Sequence, residues 1–198
     1  MDEGPNGKFW VDSTANNKNF FYGVKDGLTE ELIEQLDRFV EKENLIQKAT
    51  LVGKVDQSQH RITEVAWIDT DTNREVYERL TELVHFVNTN YFKFNISYIE
   101  TLQYSVYPPT GHYVCHTDGF LKGWNGFGRK LSFSIGLNDP SEYEGGDLEI
   151  WTGGKNFKCR LPKGEALFFP SWIPHQVHPV TQGTRKSLVG WVHGPDFI

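Results

Sequence analysis

The character of the chain changes near residue 96, and this change constrains the fold more than any other feature. Beyond it, apolar segments are short, rich in β-branched and aromatic residues, and separated by glycine and proline. Short apolar segments separated in this way, without a helical period of 3.6 residues, are typical of short strands joined by turns. The predicted strands cover residues 96–107, 131–137, 147–151, 166–169, 175–180 and 186–192.

The preceding part of the chain predicts two helices and two short strands. Thr29 can cap a helix whose first turn carries two glutamates, which favour the positive end of the helix dipole. Apolar residues then recur at helical spacing. A second helix is predicted over residues 73–90, and strands are predicted over 20–22 and 62–68.

The predicted fold class is therefore α+β, mainly β. We expect two N-terminal helices to pack on an antiparallel double sheet or barrel. The N-terminal tail, strands and supporting helices are assigned to residues 1–95, and the β core to residues 96–198, within one structural domain. The length of 198 residues and the hydrophobic fraction of 38% suffice to bury one core.

Charge and cysteine content narrow the class of protein further. The formal net charge of −6 argues against binding to nucleic acid or to an anionic membrane surface. No apolar run approaches the roughly 20 residues of a membrane span, and the N-terminus lacks the features of a secretory signal. Two cysteines, Cys115 and Cys159, do not make a disulfide framework. We expect a soluble, cytoplasmic protein with free thiols, and the oligomeric state is not predicted.

The segment GHYVCHTDG, residues 111–119, offers a candidate pair of metal ligands. Residues two apart on an extended segment point to the same side, so His116 and Asp118 can converge on one point. The later segment IPHQVHPV offers His175 and His178 as a third ligand. Two imidazoles and one carboxylate leave three octahedral positions open, which suits Fe(II) that binds a chelating co-substrate and oxygen. A zinc hydrolase could use the same residue types.

A cationic strand face is predicted just beyond these histidines. We expect residues 181–183 to form a turn that pairs 175–180 with 186–192 as a hairpin. This hairpin would bring Arg185 nearly opposite His175. A guanidinium binds a carboxylate through two parallel hydrogen bonds, so the pattern predicts a dicarboxylate site beside the metal. Period-two alternation places four residues on the site's face: Arg185, Ser187, Val189 and Trp191.

Five segments of the second half form a specific ordered pattern: LQYSVYPPTGHYVCHTD, LSFSIGLND, YEGGDLEI, KGEALFFPS and HQVHPVTQGTRKSLVGW. Taken in this order, they resemble the 2-oxoglutarate/Fe(II) dioxygenases, and in particular the prolyl 4-hydroxylase-like, PKHD-type branch. The resemblance covers about half of the chain, residues 99–192. It implies a double-stranded β-helix, or jelly-roll, core.

The resemblance also implies which residues bind the metal. His116, Asp118 and His175 match the three iron ligands of the family. His175 is preferred to His178 because HQVHPVT matches the family's His-x-Val-x-Pro-Val. The other four histidines are given no role.

Further residues match the family's co-substrate site. Arg185 matches the arginine that binds the far carboxylate of 2-oxoglutarate and is counted among the catalytic residues, and Ser187 completes an Arg-x-Ser pair. Tyr107 matches a tyrosine that faces the co-substrate, and Trp191 a tryptophan on the iron side of the pocket. The expected aromatic walls are Tyr104, Tyr107, Trp172 and Trp191.

One position departs from the family pattern. Many members have a tyrosine just before the Leu-Asn pair, where it reaches the far carboxylate of 2-oxoglutarate. This chain has Gly136 there. Our hypothesis is that Ser187, with Ser134 or Ser132 on a nearby strand, takes over that hydrogen bond.

The resemblance implies an oxidoreductase that uses Fe(II), 2-oxoglutarate and O2, with ascorbate as a reductant, and releases succinate and CO2. The expected target is a C–H bond of a prolyl residue in a protein or peptide. Alternatives are a free amino acid or other small molecule, or a catalytically silent jelly-roll binding module. Repair of nucleic-acid bases is disfavoured by the negative net charge of the chain. Residues 119–130, rich in glycine and aromatic residues, are interpreted as a flap over the substrate.

Overall fold

A computed structural model of the chain describes residues 20–49, 57–119, 126–154 and 156–196. Its α-helices are α1 (Glu30–Lys42), α2 (Gln57–His60) and α3 (Arg74–Val87), and a π-helical turn, Asn88–Phe92, follows α3. A short 3-10 turn covers Pro140–Glu142. The strands are β1 (Tyr22–Val24), β2 (Gln47–Lys48), β3 (Arg61–Ile62), β4 (Glu64–Ile68), β5 (Tyr98–Ile99), β6 (Leu102–Tyr107), β7 (His112–His116), β8 (Phe127–Gly136), β9 (Tyr143–Gly145), β10 (Leu148–Ile150), β11 (Phe157–Cys159), β12 (Ala166–Pro170), β13 (His175–Val177), β14 (Val180–Gly183) and β15 (Arg185–Pro195).

The strands form two main antiparallel sheets. The larger sheet has the order β1-β12-β8-β15-β6-β4-β2, with β5 also paired to β15. The smaller sheet has the order β11-β10-β13-β7-β3, and β14 pairs with β9 apart from both. The mainly β prediction is confirmed. Strands β1 to β4 precede residue 96 but belong to these sheets, so the N-terminal part of the chain builds the sheets as well as packing on them.

Two apolar clusters hold these layers together. In one, the helices pack on the larger sheet: α1 contributes Leu36 and Val40, and α3 contributes Leu80 and Val84, all fully or almost fully buried. Their spacing of three to four residues puts them on one side of each helix. The second cluster lies between the sheets and joins Leu148, Ile150 and Val177 of the smaller sheet to Tyr107, Leu167 and Phe169 of the larger one.

The predicted hairpin over residues 175–192 is wrong. His175–Val177 pairs with β10 and β7 in the smaller sheet, whereas Arg185–Pro195 pairs with β6 and β8 in the larger sheet. The segment interpreted as a turn is itself part of strand Val180–Gly183, which pairs with β9. The chain therefore crosses from one sheet to the other, and His175 and Arg185 lie on different sheets.

Helices and strands elsewhere fall close to the predicted segments. The helix predicted over 73–90 is α3, and the strand predicted over 62–68 is split at Thr63 into β3 and β4. The sequence analysis missed β7 as a strand, although it bears His116. Among the described residues, no helix is long and apolar enough to cross a membrane.

Candidate metal and co-substrate site

Strand pairing brings the three candidate metal ligands together. His116 ends β7, His175 begins β13, and the two histidines are directly paired neighbours in the sheet. Asp118 follows His116 by two residues, and its backbone N–H donates to the carbonyl of Ser171. The carboxylate of Asp118 lies 3.6 Å from Nε2 of His116 and 3.4 Å from Nε2 of His175. All three ligand atoms lie within 4.8 Å of one another.

Hydrogen bonds determine which nitrogen of each imidazole faces the carboxylate. Nδ1 of His116 lies 2.8 Å from the carbonyl oxygen of Val114, and Nδ1 of His175 lies 2.9 Å from that of Ile173. A carbonyl oxygen only accepts, so each Nδ1 must carry the proton and donate it. Nε2 of each ring is then left with a free lone pair, which is the form that binds a metal ion.

Electrostatics favour an ionised Asp118 beside a neutral His175. Burial alone would raise the pKa of Asp118, but the two imidazoles and the Ser132 hydroxyl outweigh it and hold that pKa well below its ordinary value. Burial lowers the pKa of His175, against the opposing attraction of Asp118. Among the described residues, Oδ2 of Asp118 is buried and accepts no hydrogen bond. A buried carboxylate oxygen in this state fits a metal ion, because a cation would supply the missing partner.

His178 takes no part in this cluster. Its Nε2 lies 2.7 Å from the carboxylate of Glu149, which also accepts hydrogen bonds from Gln176 and Asn156. Its ring therefore belongs to a different polar cluster, based on Glu149 of β10. The structure brings His116, Asp118 and His175 together, as the sequence analysis expected.

The guanidinium of Arg185 lies buried in the larger sheet. Only 4% of Arg185 is exposed, and its Nη1 donates to Oγ of Ser187 at 3.0 Å. Its guanidinium carbon lies 5.1 Å from the ring centre of Tyr107, which is its paired neighbour on β6. In the described part of the chain, Arg185 forms no ion pair with a carboxylate. A buried cation without a counter-ion is costly, so this arrangement suits an anionic ligand.

One pocket of about 640 Å³ joins the metal ligands to Arg185. Both sheets line it, and the four residues predicted by alternation, Arg185, Ser187, Val189 and Trp191, all contribute. Tyr107 and Ser134 also line the pocket, whereas Ser132 does not, and its Oγ lies 2.9 Å from Oγ of Ser171. The two remaining predicted walls are wrong. Tyr104 donates its hydroxyl to Asp37 on α1, and Trp172 packs on Phe94.

Several pocket residues were missed by the sequence analysis. Arg61 and Trp67 come from β3 and β4, in a part of the chain where no motif pointed to a site. Arg129 of β8 stacks 3.9 Å from the ring of Trp191 and forms two short hydrogen bonds with Glu100. Tyr113 stacks on the ring of His116 with 3.6 Å between ring centres. A signal existed only for Tyr113, which stands in the segment GHYVCHTDG quoted above, three residues before His116.

Close packing explains the glycine at position 136. A Cβ atom there would lie 2.5 Å from the carbonyl oxygens of both Leu161 and Pro162. Because those are backbone atoms, no side chain fits without a shift of the chain. Another tyrosine, Tyr143 of β9, does lie near Arg185: burial raises the pKa of Tyr143, and the charge of Arg185 opposes that rise.

The interpreted flap, residues 119–130, falls mainly on residues 120–125, which lie outside the described residues. Of the remainder, Phe127 is exposed, and Arg129 belongs to β8 and lines the pocket. The flap stays a prediction.

Comparison with known proteins gives both sequence relatives and a fold. The model of the 2OG-Fe(II) oxygenase superfamily matches residues 102–193. A PKHD-type hydroxylase of Picosynechococcus sp. is 44% identical over 94 residues, which are 48% of this chain and 42% of the relative. One from Crocosphaera subtropica is 40% identical over 97 residues, 48% of this chain and 44% of the relative. The chain spans less than half of the length of these curated relatives.

Solved structures share the fold. A prolyl-4-hydroxylase from Pseudomonas putida superposes with a TM-score of 0.71 at 18% identity, covering 93% of this chain and 97% of the other. A prolyl hydroxylase from Trichoplax adhaerens, in complex with a peptide fragment of hypoxia inducible factor, gives 0.70 at 20% identity, covering 90% and 86%. The viral collagen prolyl hydroxylase from Paramecium Bursaria Chlorella virus-1 gives 0.69 at 19% identity, covering 88% and 96%. At these identities the likeness concerns the jelly-roll fold alone.

Proposed function

We propose that this chain is an Fe(II)- and 2-oxoglutarate-dependent hydroxylase of the PKHD-type branch, because residues 102–193 match the model of the 2OG-Fe(II) oxygenase superfamily and the curated relatives reported above are PKHD-type hydroxylases. The observation that carries this proposal is one pocket with two complementary ends. One end has two imidazole lone pairs and a carboxylate, and the other has a buried guanidinium that forms no ion pair with described residues. A metal ion and a dicarboxylate match these two ends.

The protein's part in the reaction is to hold and orient the reactants. His116, Asp118 and His175 would bind iron through Nε2, a carboxylate oxygen and Nε2. Iron bound there, with 2-oxoglutarate and O2, would supply the oxidative chemistry that hydroxylates a C–H bond and releases succinate and CO2. Backbone hydrogen bonds at both Nδ1 atoms keep the imidazole rings oriented. Ascorbate as the reductant stays a prediction.

Arg185 would bind the far carboxylate of 2-oxoglutarate. Its buried position strengthens a charge-assisted hydrogen bond, because little water competes for the guanidinium. Ser187 holds Nη1 of Arg185 in place and offers its own hydroxyl beside it. Tyr107 under the guanidinium and Ser134 on β8 complete this end of the pocket. Trp191 would form an apolar wall between the two ends.

Replacement of Ser187 with alanine is expected to raise the 2-oxoglutarate concentration for half-saturation by about fivefold. The change removes one hydrogen bond, worth about 1 kcal/mol, and leaves the charge of Arg185 in place. Titration of the Fe(II) protein with 2-oxoglutarate measures the effect. Ser141→Ala, on the exposed 3-10 turn, is the control and should leave the half-saturating concentration unchanged. Unchanged affinity in Ser187→Ala would show that Ser187 does not replace the missing tyrosine.

We extend the proposal to a prolyl residue of a protein or peptide as the target. The support is indirect: curated relatives are named PKHD-type hydroxylases, and a structural neighbour holds a peptide. The pocket also has aromatic residues in its wall: Trp67 is 42% exposed, and its ring centre lies 6.3 Å from that of Trp191. Residues 96–198 would form the oxygenase core, to which residues 1–95 add part of the pocket wall.

Anaerobic visible spectroscopy tests the proposed function. Fe(II) and 2-oxoglutarate added to the purified protein should produce a weak charge-transfer band, because chelation places the keto acid on the metal. The expected stoichiometry is one iron and one 2-oxoglutarate per chain. Absence of the band in folded, iron-loaded protein would overturn the proposal and favour a zinc site or a silent binding module.

A further inference from the structure

Arg61 lies in the pocket but has no task in the chemistry described so far. It begins β3, where it is the paired neighbour of Tyr113 on β7. Its guanidinium carbon lies 4.7 Å from the ring centre of Tyr113, and that ring in turn stacks on His116. On the smaller sheet, the ring of Tyr113 therefore lies between Arg61 and His116, a candidate iron ligand. Arg185 lies on the other sheet.

Among the described residues, the guanidinium of Arg61 has no counter-ion. Its Nε and Nη2 atoms are buried and have no hydrogen-bond partner among the described residues. An arginine stays charged at any physiological pH, so burial without a partner costs free energy. The stack on Tyr113 offsets part of that cost but leaves the N–H donors unused. Such an unsatisfied cationic group favours the binding of an anionic ligand.

The other two arginines that line the pocket, Arg129 and Arg185, already have a partner or a proposed ligand. Arg129 donates two hydrogen bonds, of 2.7 and 2.6 Å, to the carboxylate of Glu100. Arg185 lies at the proposed 2-oxoglutarate end. Asp118 is the one acidic residue among the described residues that line the pocket, and it would be a metal ligand. Among the described residues that line the pocket, Arg61 is therefore the arginine that has neither a counter-ion nor a proposed ligand.

A small side cavity lies against the same arginine. It has a volume of about 90 Å³ and shares Arg61, Trp67 and Gln103 with the main pocket. The other described residues that line the cavity are Gln47, Lys48, Ala49 and Val65. The described lining contains no acidic side chain. Glu64 is the paired neighbour of Lys48 but does not line the cavity. The volume exceeds that of a water molecule, roughly 30 Å³, and accommodates a carboxylate with its adjoining methylene.

We propose that Arg61 binds a carboxylate of the substrate, with this side cavity as its subsite. The inference rests on the proposed function, which places the reacting carbon near His116. The two stacking distances of 4.7 and 3.6 Å together span about two residues of extended peptide. The carboxylate is therefore expected within about two residues of the hydroxylated residue. An acidic side chain of a peptide and the α-carboxylate of a free amino acid share this chemistry.

Thermal denaturation of the protein with Fe(II) and saturating 2-oxoglutarate, under anaerobic conditions, tests the inference. The probes are two matched pairs: acetyl-Glu-Pro-Glu-amide with acetyl-Gln-Pro-Gln-amide, and L-proline with L-prolinamide. A probe that binds only the folded protein raises its melting temperature. We expect the acid of at least one pair to act at a concentration about tenfold or more below that of its amide. Arg61→Gln should abolish this difference, whereas Arg74→Gln, on the exposed face of α3, should retain it.

The outcomes separate the possible sources of the carboxylate. A difference in the peptide pair assigns the subsite to an acidic side chain, and a difference confined to the proline pair assigns it to a free amino acid. No difference in either pair, or one that persists in Arg61→Gln, overturns the inference. Without probes, Arg61→Gln should melt close to Arg74→Gln, because each change removes one contact, the stack on Tyr113 or the exposed ion pair with Glu78. If the charge-transfer band is present and the probe difference is absent, the inference about Arg61 fails and the proposed function stands.

Discussion

Replacement of His175 with alanine is expected to abolish both the charge-transfer band and 2-oxoglutarate-dependent formation of succinate. His175 supplies one of three ligand atoms that lie within 4.8 Å of one another, and the described residues around it offer no substitute. Loss of one of three protein ligands should weaken Fe(II) binding by at least 100-fold, more than the 10- to 100-fold typical of second-layer partners. Iron binding is measured by equilibrium dialysis, and the band by anaerobic titration.

His178→Ala is the matched control for this experiment. His178 lies three residues away on the chain, but its Nε2 contacts Glu149 and not the metal cluster. This variant should bind Fe(II) and 2-oxoglutarate as the unmodified protein does. If the two variants behaved alike, or if His178→Ala alone lost iron, the assignment of the ligands would be wrong.

Replacement of Arg185 with glutamine is expected to raise the half-saturating 2-oxoglutarate concentration by roughly 100-fold. Loss of one partner from a buried, hydrogen-bonded charge pair costs about 2–5 kcal/mol. The far carboxylate would keep only hydroxyl donors such as Ser187, without a compensating charge. Iron binding should change little, because Arg185 lies on the larger sheet and the histidine ligands lie on the smaller one.

Arg185→Lys distinguishes charge from geometry in the same titration. A lysine keeps the positive charge but loses the planar fork that binds a carboxylate through two parallel bonds. An affinity between those of the unmodified protein and Arg185→Gln is expected. A half-saturating concentration within twofold of normal in Arg185→Gln would remove Arg185 from the co-substrate site.

Local sequence patterns predicted several parts of this site. His116 and Asp118 are two residues apart, so an extended backbone directs both side chains to the same side whatever the rest of the fold. The same alternation placed Arg185, Ser187, Val189 and Trp191 in the pocket, where the structure has them. The second histidine needed more than spacing, because His175 and His178 are equivalent candidates by residue type. The family resemblance favoured His175, and the structure brings it to the cluster.

Non-local pairing was not predictable in the same way. The glycine at the end of residues 180–183 suggested a hairpin, yet these residues pair with β9 and lead the chain from one sheet to the other. Arg61 and Trp67 carried no signal, because they reach the pocket only once β3 and β4 join opposite sheets. Position 136 appeared simply to lack a tyrosine, whereas the packing of Leu161 and Pro162 leaves no space for any side chain.

The sequence by itself determined the mainly β class, the metal-ligand pair at residues 116 and 118, and the face of the strand that carries Arg185. These properties depend on backbone geometry over two to ten residues, which local composition controls. Only the tertiary structure decided which strands pair, how His175 meets His116, and which N-terminal residues reach the pocket. Strand pairing depends on burial summed over distant segments, and many pairings are compatible with the same local pattern.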